Sequence, residues 1–561
     1  MEQEFELIAK TFYGLEDLLA QELEAIGAQN IRKGRRVVYF SGDTAMMYRA
    51  NYALRTAIRI LKPLKHFNAT TADEVYKAVR DYEWKNILDL KTTFAVDAVV
   101  YSENFSYSKF VAYKVKDAIV DYFSENYGKR PNISVANPGV RFHIHISDDD
   151  CTLSLDSSGD SLHKRGYREA TVDAPINEVL AAALVKFTGW KADCDFIDPM
   201  CGSGTIPIEA GLIARNIAPG KFRHEFAFQK WADYSEDVFN SVKEECNSQE
   251  CEFDHKLYAY DIDANAVAAT KANVIAAGLD EDFVVERRDF RNFTQPAQKA
   301  IMVFNPPYGV RLKADSPLPS LYRVIGERLK HQFVGGEAWI ICNSEELFQN
   351  IGLKPSLKIP LFNGSIDCQL QKYQIFDGKL DAFRGEGHEL KTDRERKIMA
   401  EPHRFKENRD FKRRFTDDGD DSDYGDIPDY MVRKHREFEE NERRRDRRGA
   451  GGGGRRNFRD DGGERRGFQR DGRGDRDGRR RFEHDDRPRR YNGGDREGGG
   501  RDRDNRYNGG GDRPNRDNRG GYGQRDFNRR RDDRNGNGRD DRRRGGGFRR
   551  DGGGGRGGYR D

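Results

Sequence analysis

The chain has little of what would cross-link it or bind a metal. Its 561 residues include seven cysteines: Cys151, Cys194, Cys201, Cys246, Cys251, Cys342 and Cys368. They form no CxxC pair and no cluster with histidine at zinc-ligand spacing, and an odd number cannot all pair. This argues against a disulfide scaffold and a structural zinc, and points to reduced thiols in the cytoplasm. Long apolar runs are also missing, since no stretch approaches the roughly eighteen residues of a membrane span. The N-terminus, MEQEFELIAKTFYGLEDLLAQELEAIG, carries acids where a secretory signal would carry a basic cluster. A cytoplasmic protein with no membrane partner and no metal is expected. Charge of one sign is lacking as well: 98 basic residues face 95 acidic ones, a net of +3, so the distribution of charge matters more than its sum.

Composition divides the chain. All four tryptophans (Trp84, Trp190, Trp231, Trp339) lie in the first two thirds. Beyond about Lys391 the text is Arg, Asp, Gly and Asn, which cannot bury enough apolar surface to offset chain entropy. Four segments are expected: 1–58, 59–156, 157–380 and a disordered Arg/Gly/Asp-rich tail, 381–561.

The first segment reads strand, helix, strand (FELIAKTF, LEDLLAQELEAIG, RVVYFSG), then a helix around TAMMYRANYALRTAIRILKPL. It holds no cluster of catalytic residue types, so packing or docking is its expected role. The second has its own elements from about Asn68: a helix in ADEVYKAVRDY, a strand in TTFAVDAVVYS, a helix in KFVAYKVKDAIVDYFSENYG and the closing strands RFHIHISDD and CTLSLDSSG. Alternation puts Phe142, Ile144 and Ile146 on one face and His143 and His145 on the other. With no third ligand nearby, the histidines read as solvent-facing positions.

The third segment alternates strands and helices, from DCDFIDP through KLYAYDID, FVVERRDF and AIMVFNPP to GEAWIICNS. Repeated β-α order implies an α/β fold, a doubly wound and mostly parallel sheet. Ligands of such sheets bind at the carboxyl ends of the strands.

The first of these strands runs into Asp198-Pro199-Met200-Cys201-Gly202-Ser203-Gly204-Thr205 and a helix. Gly202 and Gly204 let the backbone approach a ligand, and the helix start offers N–H groups and a positive dipole end. The third glycine of a dinucleotide fingerprint and the lysine of a phosphate loop are both absent. A ligand with a carboxylate instead of a pyrophosphate suits what remains. Asp261, at the next strand tip, is placed to accept both hydroxyls of a ribose, while Asp263 suits the N-cap of the following helix. Asp289 and Phe290 end the third strand, where a carboxylate could meet an adenine amine and a ring its face, although Asp289 taken alone reads more often as an ordinary loop acid.

Asn305-Pro306-Pro307-Tyr308-Gly309 ends the fourth strand. The lone pair of an exocyclic base amine is delocalised into the ring and is a poor nucleophile. Acceptors for both its protons, the Asn305 side-chain oxygen and the Pro306 carbonyl, would localise it and aim it at an electrophile. Pro306 and Pro307 fix the turn, and Tyr308 offers a stacking surface. Cys201 needs no role beyond its small size.

The run DPMCGSGT, YDID, RRDF and NPPYG resembles the class I methyltransferases that modify exocyclic amines. The preceding DSSGDSLHKRGYREATVDAPINEVLAAALV resembles the junction of a THUMP domain with the methyltransferase domain in the guanine-N2 methyltransferases of large-subunit ribosomal RNA. The likeness spans about the first 380 residues. It implies a ferredoxin-like region over 1–58, a THUMP RNA-binding domain over 59–156, a Rossmann-like methyltransferase domain over 157–380, and S-adenosyl-L-methionine as cofactor.

By that resemblance Pro175 and Asn177 line the cofactor site ahead of the first strand, Asp198, Gly202 and Gly204 surround the methionine part of the cofactor, Asp261 its ribose, and Asp289 with Phe290 its adenine, with Cys201 and Thr205 also among the cofactor-binding residues. Asn305, Pro306, Pro307 and Tyr308 present the base. Lys164, Arg165 and Arg168, at the junction, are phosphate contacts or a solvated linker. The implied substrate is 23S ribosomal RNA, free or within a pre-ribosomal particle. Adenine N6 and protein glutamine are the alternative acceptors, and an RNA-chaperone role of the tail is the alternative outside catalysis. The longest members of the family continue into a second methyltransferase domain. This chain passes instead into its tail, so no second methylation is expected. Spaced aromatics and Arg-Gly steps there suit non-specific RNA contact, while interleaved Asp suits a solubilising polyampholyte.

Overall fold

The computed structural model describes residues 4–105, 107–172, 175–292, 294–296, 299–309, 318–378, 392 and 395–396. Apart from Thr392, Glu395 and Arg396, the Arg/Gly/Asp-rich tail, expected to be disordered, lies outside the described residues.

The first segment folds as β1 (Phe5–Lys10), α1 (Glu16–Ala25), β2 (Gln29–Lys33), β3 (Val37–Gly42), α2 (Thr44–Ala53) and β4 (Arg59–Asn68). The apolar face of α1 buries Leu18, Leu19 and Leu23, and Asp43 caps α2 by accepting from the Met46 N–H at 2.8 Å. The helix expected to run through ILKPL stops at Ala53, and Arg59–Asn68 is a strand. Pro63 supplies the reason. It cannot donate inside a helix, and in β4 it sits where the register against the next strand shifts, a position at which a sheet tolerates proline.

The second segment adds α3 (Ala72–Arg80), β5 (Phe94–Tyr101), α4 (Ser108–Tyr127), β6 (Val140–Ser147) and β7 (Asp150–Asp156). Because β4 pairs with both β1 and β7, the two segments share one seven-stranded sheet, β2-β3-β1-β4-β7-β6-β5. Phe142, Ile144 and Ile146 face the core under α3 and α4 as their spacing predicts. The histidines differ from expectation: His143 is buried, its Nε2 3.3 Å from Lys10 Nζ, and His145 is half-buried.

The third segment comprises α5 (Glu178–Thr188), β8 (Asp195–Asp198), α6 (Thr205–Ala214), α7 (Glu236–Asn247), β9 (Leu257–Asp261), α8 (Ala264–Ala276), β10 (Phe283–Arg287), β11 (Ala300–Phe304), α9 (Leu318–Gln332), β12 (Glu337–Cys342), α10 (Glu345–Ile351), β13 (Leu357–Asn363) and β14 (Ile366–Gln374). Its strand order is β10-β9-β8-β11-β12-β14-β13, parallel except for β14. The order reverses between β8 and β11, the point at which an α/β sheet opens a crevice for ligand.

The two sheets are joined by packing. Tyr48 of α2 stacks on Phe228 at 4.3 Å, with Phe239 of α7 edge-on at 5.7 Å. Arg165 is buried beside Glu209 of α6 (3.2 Å) and donates to the Leu162 and Arg55 carbonyls (2.8 and 2.6 Å).

Candidate active site

The parallel register aligns the carboxyl ends of four strands. Asp198 lies opposite Ala259, Arg287 opposite Asp261, and Met302 opposite Ile197. The residues that follow, Pro199–Thr205, Ile262–Asp263, Arg288–Phe290 and Asn305–Gly309, therefore emerge along one edge.

The glycine turn is fixed by strict geometry. Gly202 and Gly204 hold φ of +56° and +83°, and a Cβ on Gly204 would lie 2.8 Å from Thr270 Cγ2. Thr270 also donates its hydroxyl to the Gly202 carbonyl at 2.8 Å. Gly202 in turn donates its N–H to Asp261 Oδ2, and Asp263 its N–H to Asp261 Oδ1, both at 2.9 Å. Two backbone donors thus orient the Asp261 carboxylate, and about four acceptor sites on such a group leave capacity for a diol. Asp263 accepts from the Asn265 N–H and caps α8, as its place in the sequence suggests.

Asp198 is 1% exposed and accepts from the Met200 N–H at 3.1 Å; burial pushes its carboxyl well above the ordinary range, and burial raises Asp261 as well. A cation at this edge would relieve both. Cys201 is buried with its Sγ 3.5 Å from Thr270 Oγ1, and burial drives its thiol upward, which makes it a poor nucleophile. Asn177 caps α5 by accepting from the Val179 N–H at 2.9 Å, and Pro175 is exposed just before it.

At the fourth strand, Asn305 Oδ1 is buried with no hydrogen-bond partner. A buried amide oxygen left unpaired costs on the order of 1–3 kcal/mol, a cost that a ligand donor placed there would remove. Pro306 is buried, Pro307 half-buried, and the Tyr308 hydroxyl accepts from Asn363 Nδ2 at 2.8 Å.

Two expectations change. Arg165 is sealed in the core against Glu209 and offers nothing to a phosphate in this structure. Arg168 turns inward too, donating to Glu178 Oε1 (2.8 Å), Ser203 Oγ (3.0 Å) and Thr205 Oγ1 (2.9 Å), so it braces the glycine turn. Of the three junction cations only Lys164 is largely exposed, 3.8 Å from Asp160. At the third strand the Phe290 ring is buried, parallel to Phe333 at 6.0 Å, while Asp289 is bound by Arg291, whose hydrogen bonds hold its carboxyl below the usual range.

Asn273 went unrecognised in the sequence. From α8 it accepts from the Glu169 and Ala170 N–H groups (2.8 and 2.9 Å) and donates to the Ala170 and Ser203 carbonyls (2.8 and 2.9 Å). An asparagine inside an alanine-rich helix is unfavourable on propensity alone, and that mismatch was the available signal.

The sequence matches the RMKL-like methyltransferase domain over residues 165–372, the THUMP domain over 69–156 and the RlmL ferredoxin-like domain over 6–61. It is 35% identical over 364 residues to a Synechocystis protein named "Putative RNA methyltransferase slr0064", covering 65% of this chain and 95% of that one. The chain belongs to the THUMP-bearing class I RNA methyltransferases.

Its cofactor is S-adenosylmethionine, and a chain described as "SMU.472, a putative methyltransferase complexed with SAH" superposes with a TM-score of 0.60 at 29% identity over 68% of this chain and all of that one. A Listeria monocytogenes chain described as a predicted N6-adenine-specific DNA methylase gives 0.61 at 33% identity, over 66% of this methyltransferase and 97% of that chain. The Ribosomal RNA large subunit methyltransferase K/L of Syntrophotalea carbinolica is 37% identical over 373 residues, 64% of this chain but 52% of its own. This methyltransferase thus spans about half the length of such K/L relatives.

The site fits the cofactor. The cradle at Gly204 admits no side chain, the raised acids Asp198 and Asp261 suit a ligand with a cationic end and a diol, and the start of α6 suits its carboxylate. Among the described residues no group of three metal-ligating side chains occurs, and no helix is long and apolar enough to cross a membrane.

Proposed function

We propose that this RNA methyltransferase modifies guanine N2 in large-subunit (23S) ribosomal RNA, as free RNA or in a pre-ribosomal particle. The observation that carries the reading is the unpartnered, buried Asn305 Oδ1 at the crevice edge. A planar amine brought there has one proton to give to Asn305 and one to the Pro306 carbonyl. Held in this way, its lone pair points at the electrophile. Bound S-adenosylmethionine supplies an activated methyl group. Tyr308, its hydroxyl tied to Asn363, is oriented to support the base, and the rigid Pro306-Pro307 pair keeps the acceptors in place without reorganisation. Asp198, Asp261, Gly202, Gly204 and Thr205 would orient the cofactor, with Pro175, Asn177 and Cys201 beside them and Asp289 at the adenine end. The ribosomal assignment is supported by the names of the K/L relatives and by the THUMP match.

Adenine N6 is the second reading, favoured by the description of the Listeria chain. Nucleoside mass spectrometry of 23S ribosomal RNA with and without the protein separates the two: loss of N2-methylguanosine supports the first, loss of N6-methyladenosine the second. In either case Asn305→Ala should lower kcat on the order of a hundredfold or more while S-adenosylhomocysteine affinity stays nearly constant. Undiminished methyl transfer by that variant would show that Asn305 does not orient the amine.

A further inference from the structure

The β13–β14 hairpin projects past the carboxyl edge of its sheet. Cys342 closes β12 and pairs with Gln369, which pairs with Pro360; the rungs Leu361–Cys368, Phe362–Asp367 and Asn363–Ile366 therefore lie beyond the end of β12. At the tip of this projection Asn363 donates to the Tyr308 hydroxyl. Its flank is covered by the first domain. The Tyr13 ring meets Phe362 edge-on at 6.0 Å, and the Gly14 position lies close enough that a Cβ would sit 3.7 Å from the Pro360 carbonyl oxygen.

Against Tyr13 stands the β2–β3 turn, with the Arg35 guanidinium 5.8 Å from the ring centroid. A path of neighbours thus runs from Tyr308 through Asn363, Phe362 and Tyr13 to Arg35. The turn carries Arg32, Lys33, Arg35 and Arg36 around Gly34. It is firmly held: Arg36 takes a φ of +58°, its carbonyl accepts from the Thr11 N–H at 2.8 Å, and the Glu16 carboxylate accepts the N–H groups of both Arg36 and Gly14 at 2.8 Å. Arg32 pairs with Glu6 at 2.9 Å and Lys33 with Asp17 at 2.7 Å. Both pairs are solvent-exposed, worth about 0–1 kcal/mol each, and readily exchanged for a phosphate. Arg35 is exposed as well.

We propose that this turn is a phosphate clamp for the RNA strand beside the target nucleotide. The proposal rests on the reading that Asn305 and Tyr308 present the base. A base that reaches Asn305 has left its stack, and the backbone on one side of it must cross the wall made by the hairpin and the first domain. Arg35, over Tyr13 at that wall, with Arg36 next to it on the firmly held turn, holds the backbone without reading its sequence, and Arg32 and Lys33 add positive charge to the same turn. The first domain then contributes to the substrate site and does more than pack against it.

The test uses the full chain and transcribed 23S ribosomal RNA. Arg35→Ala/Arg36→Ala should weaken binding about tenfold at moderate salt and flatten the dependence of log K on log salt by about 1–1.5, since each single-strand phosphate contact contributes roughly 0.7. KM for RNA should rise with kcat at saturating RNA nearly unchanged, and S-adenosylhomocysteine affinity should not move. Arg35→Lys/Arg36→Lys should restore most of the loss. Lys299→Ala serves as the control, because Lys299 is exposed at the opposite edge, just ahead of β11 and paired with Asp193. Unchanged affinity and salt slope in the double variant, or an equal loss in Lys299→Ala, would overturn the clamp. The two readings fail separately: full methyl transfer by Asn305→Ala refutes base presentation and leaves the binding and salt measurements to judge the clamp.

Discussion

Gly204→Ala probes whether the glycine turn is shaped by sterics or merely tolerates glycine. Two costs can be read from the structure. The residue holds a φ of +83°, where an alanine pays about 1–2 kcal/mol, and its new Cβ would sit 2.8 Å from Thr270 Cγ2 and 3.1 Å from Thr270 Oγ1. Overpacking of that kind adds about 1–3 kcal/mol, because Thr270 is fully buried and its hydroxyl is engaged with the Gly202 carbonyl. The sum, about 2–5 kcal/mol, should appear as lowered domain stability, weaker S-adenosylhomocysteine binding, or both. Thr270→Ser removes Cγ2 and keeps the hydroxyl. Gly204→Ala/Thr270→Ser should therefore regain the part owed to the methyl contact and retain the part owed to φ. Denaturant unfolding and calorimetric titration of all four proteins complete the cycle. If Gly204→Ala is neutral in both measurements, or Thr270→Ser recovers nothing, the steric account of the turn is wrong.

Arg168→Met should weaken S-adenosylhomocysteine binding about tenfold or more, through loss of the bonds to Ser203 and Thr205, with RNA affinity and its salt slope unchanged. Loss of RNA binding alone would return Arg168 to a phosphate contact. The histidines of β6 make stability fall with acidity. Burial lowers His145 from 6.5 to about 4, and burial also holds His143 well below its ordinary value. Between those values the unfolded chain binds a proton that the folded one refuses. Stability is thus complete above about pH 6.5 and is lost as pH falls toward 4, by up to about 3 kcal/mol for His145 at about 1.4 kcal/mol per unit. Urea unfolding at a series of pH values should show this slope in the wild type and a shallower one in His145→Gln; equal slopes would refute the assignment.

What the sequence revealed was what repeats along it or sits at a fixed spacing. The strands DFID, LYAYD and AIMVF and the helices between them are legible because apolar runs and glycine or proline stops are local signals. For the same reason the NPPYG exit and the Asp263 cap are legible in the sequence alone. Arg165 was misread because its partner, Glu209, lies 44 residues away, and a cation in a polar junction looks solvated until the segment is seen threading under α6. Glu209, the lone acid in the apolar TIPIEAGLIA, was the visible half of that pair. Phe290 shows a different limit: the strand end was located, but the packing of its ring against Phe333 depends on α9, which the local sequence does not encode. The helix misread over ILKPL shows alternation competing with helical spacing until Pro63 is given its full weight.

The buried polar links between the sheets bear on why an RNA-binding half and a catalytic half share one fold. Arg55 donates to the Leu212 carbonyl of α6, and Arg165 to the Arg55 carbonyl and to Glu209. Glu22 of α1 accepts from the Arg55 and Thr56 N–H groups and pairs with Lys186 of α5 at 3.1 Å. Charges this deep are costly unless every partner is present, so either half alone would leave uncompensated groups in its interior. Such an interface favours one relative placement of the halves over a swinging arrangement. A fixed placement is what the chemistry asks for. On the proposed reading, the acceptors at Asn305 and Pro306 require the base to arrive in one orientation, and a mobile RNA-binding arm would deliver it in many. The same α6 whose start meets the cofactor turn is also, through Glu209 and Leu212, the element on which the first domain is seated. Cofactor geometry and RNA approach are thereby referred to one helix.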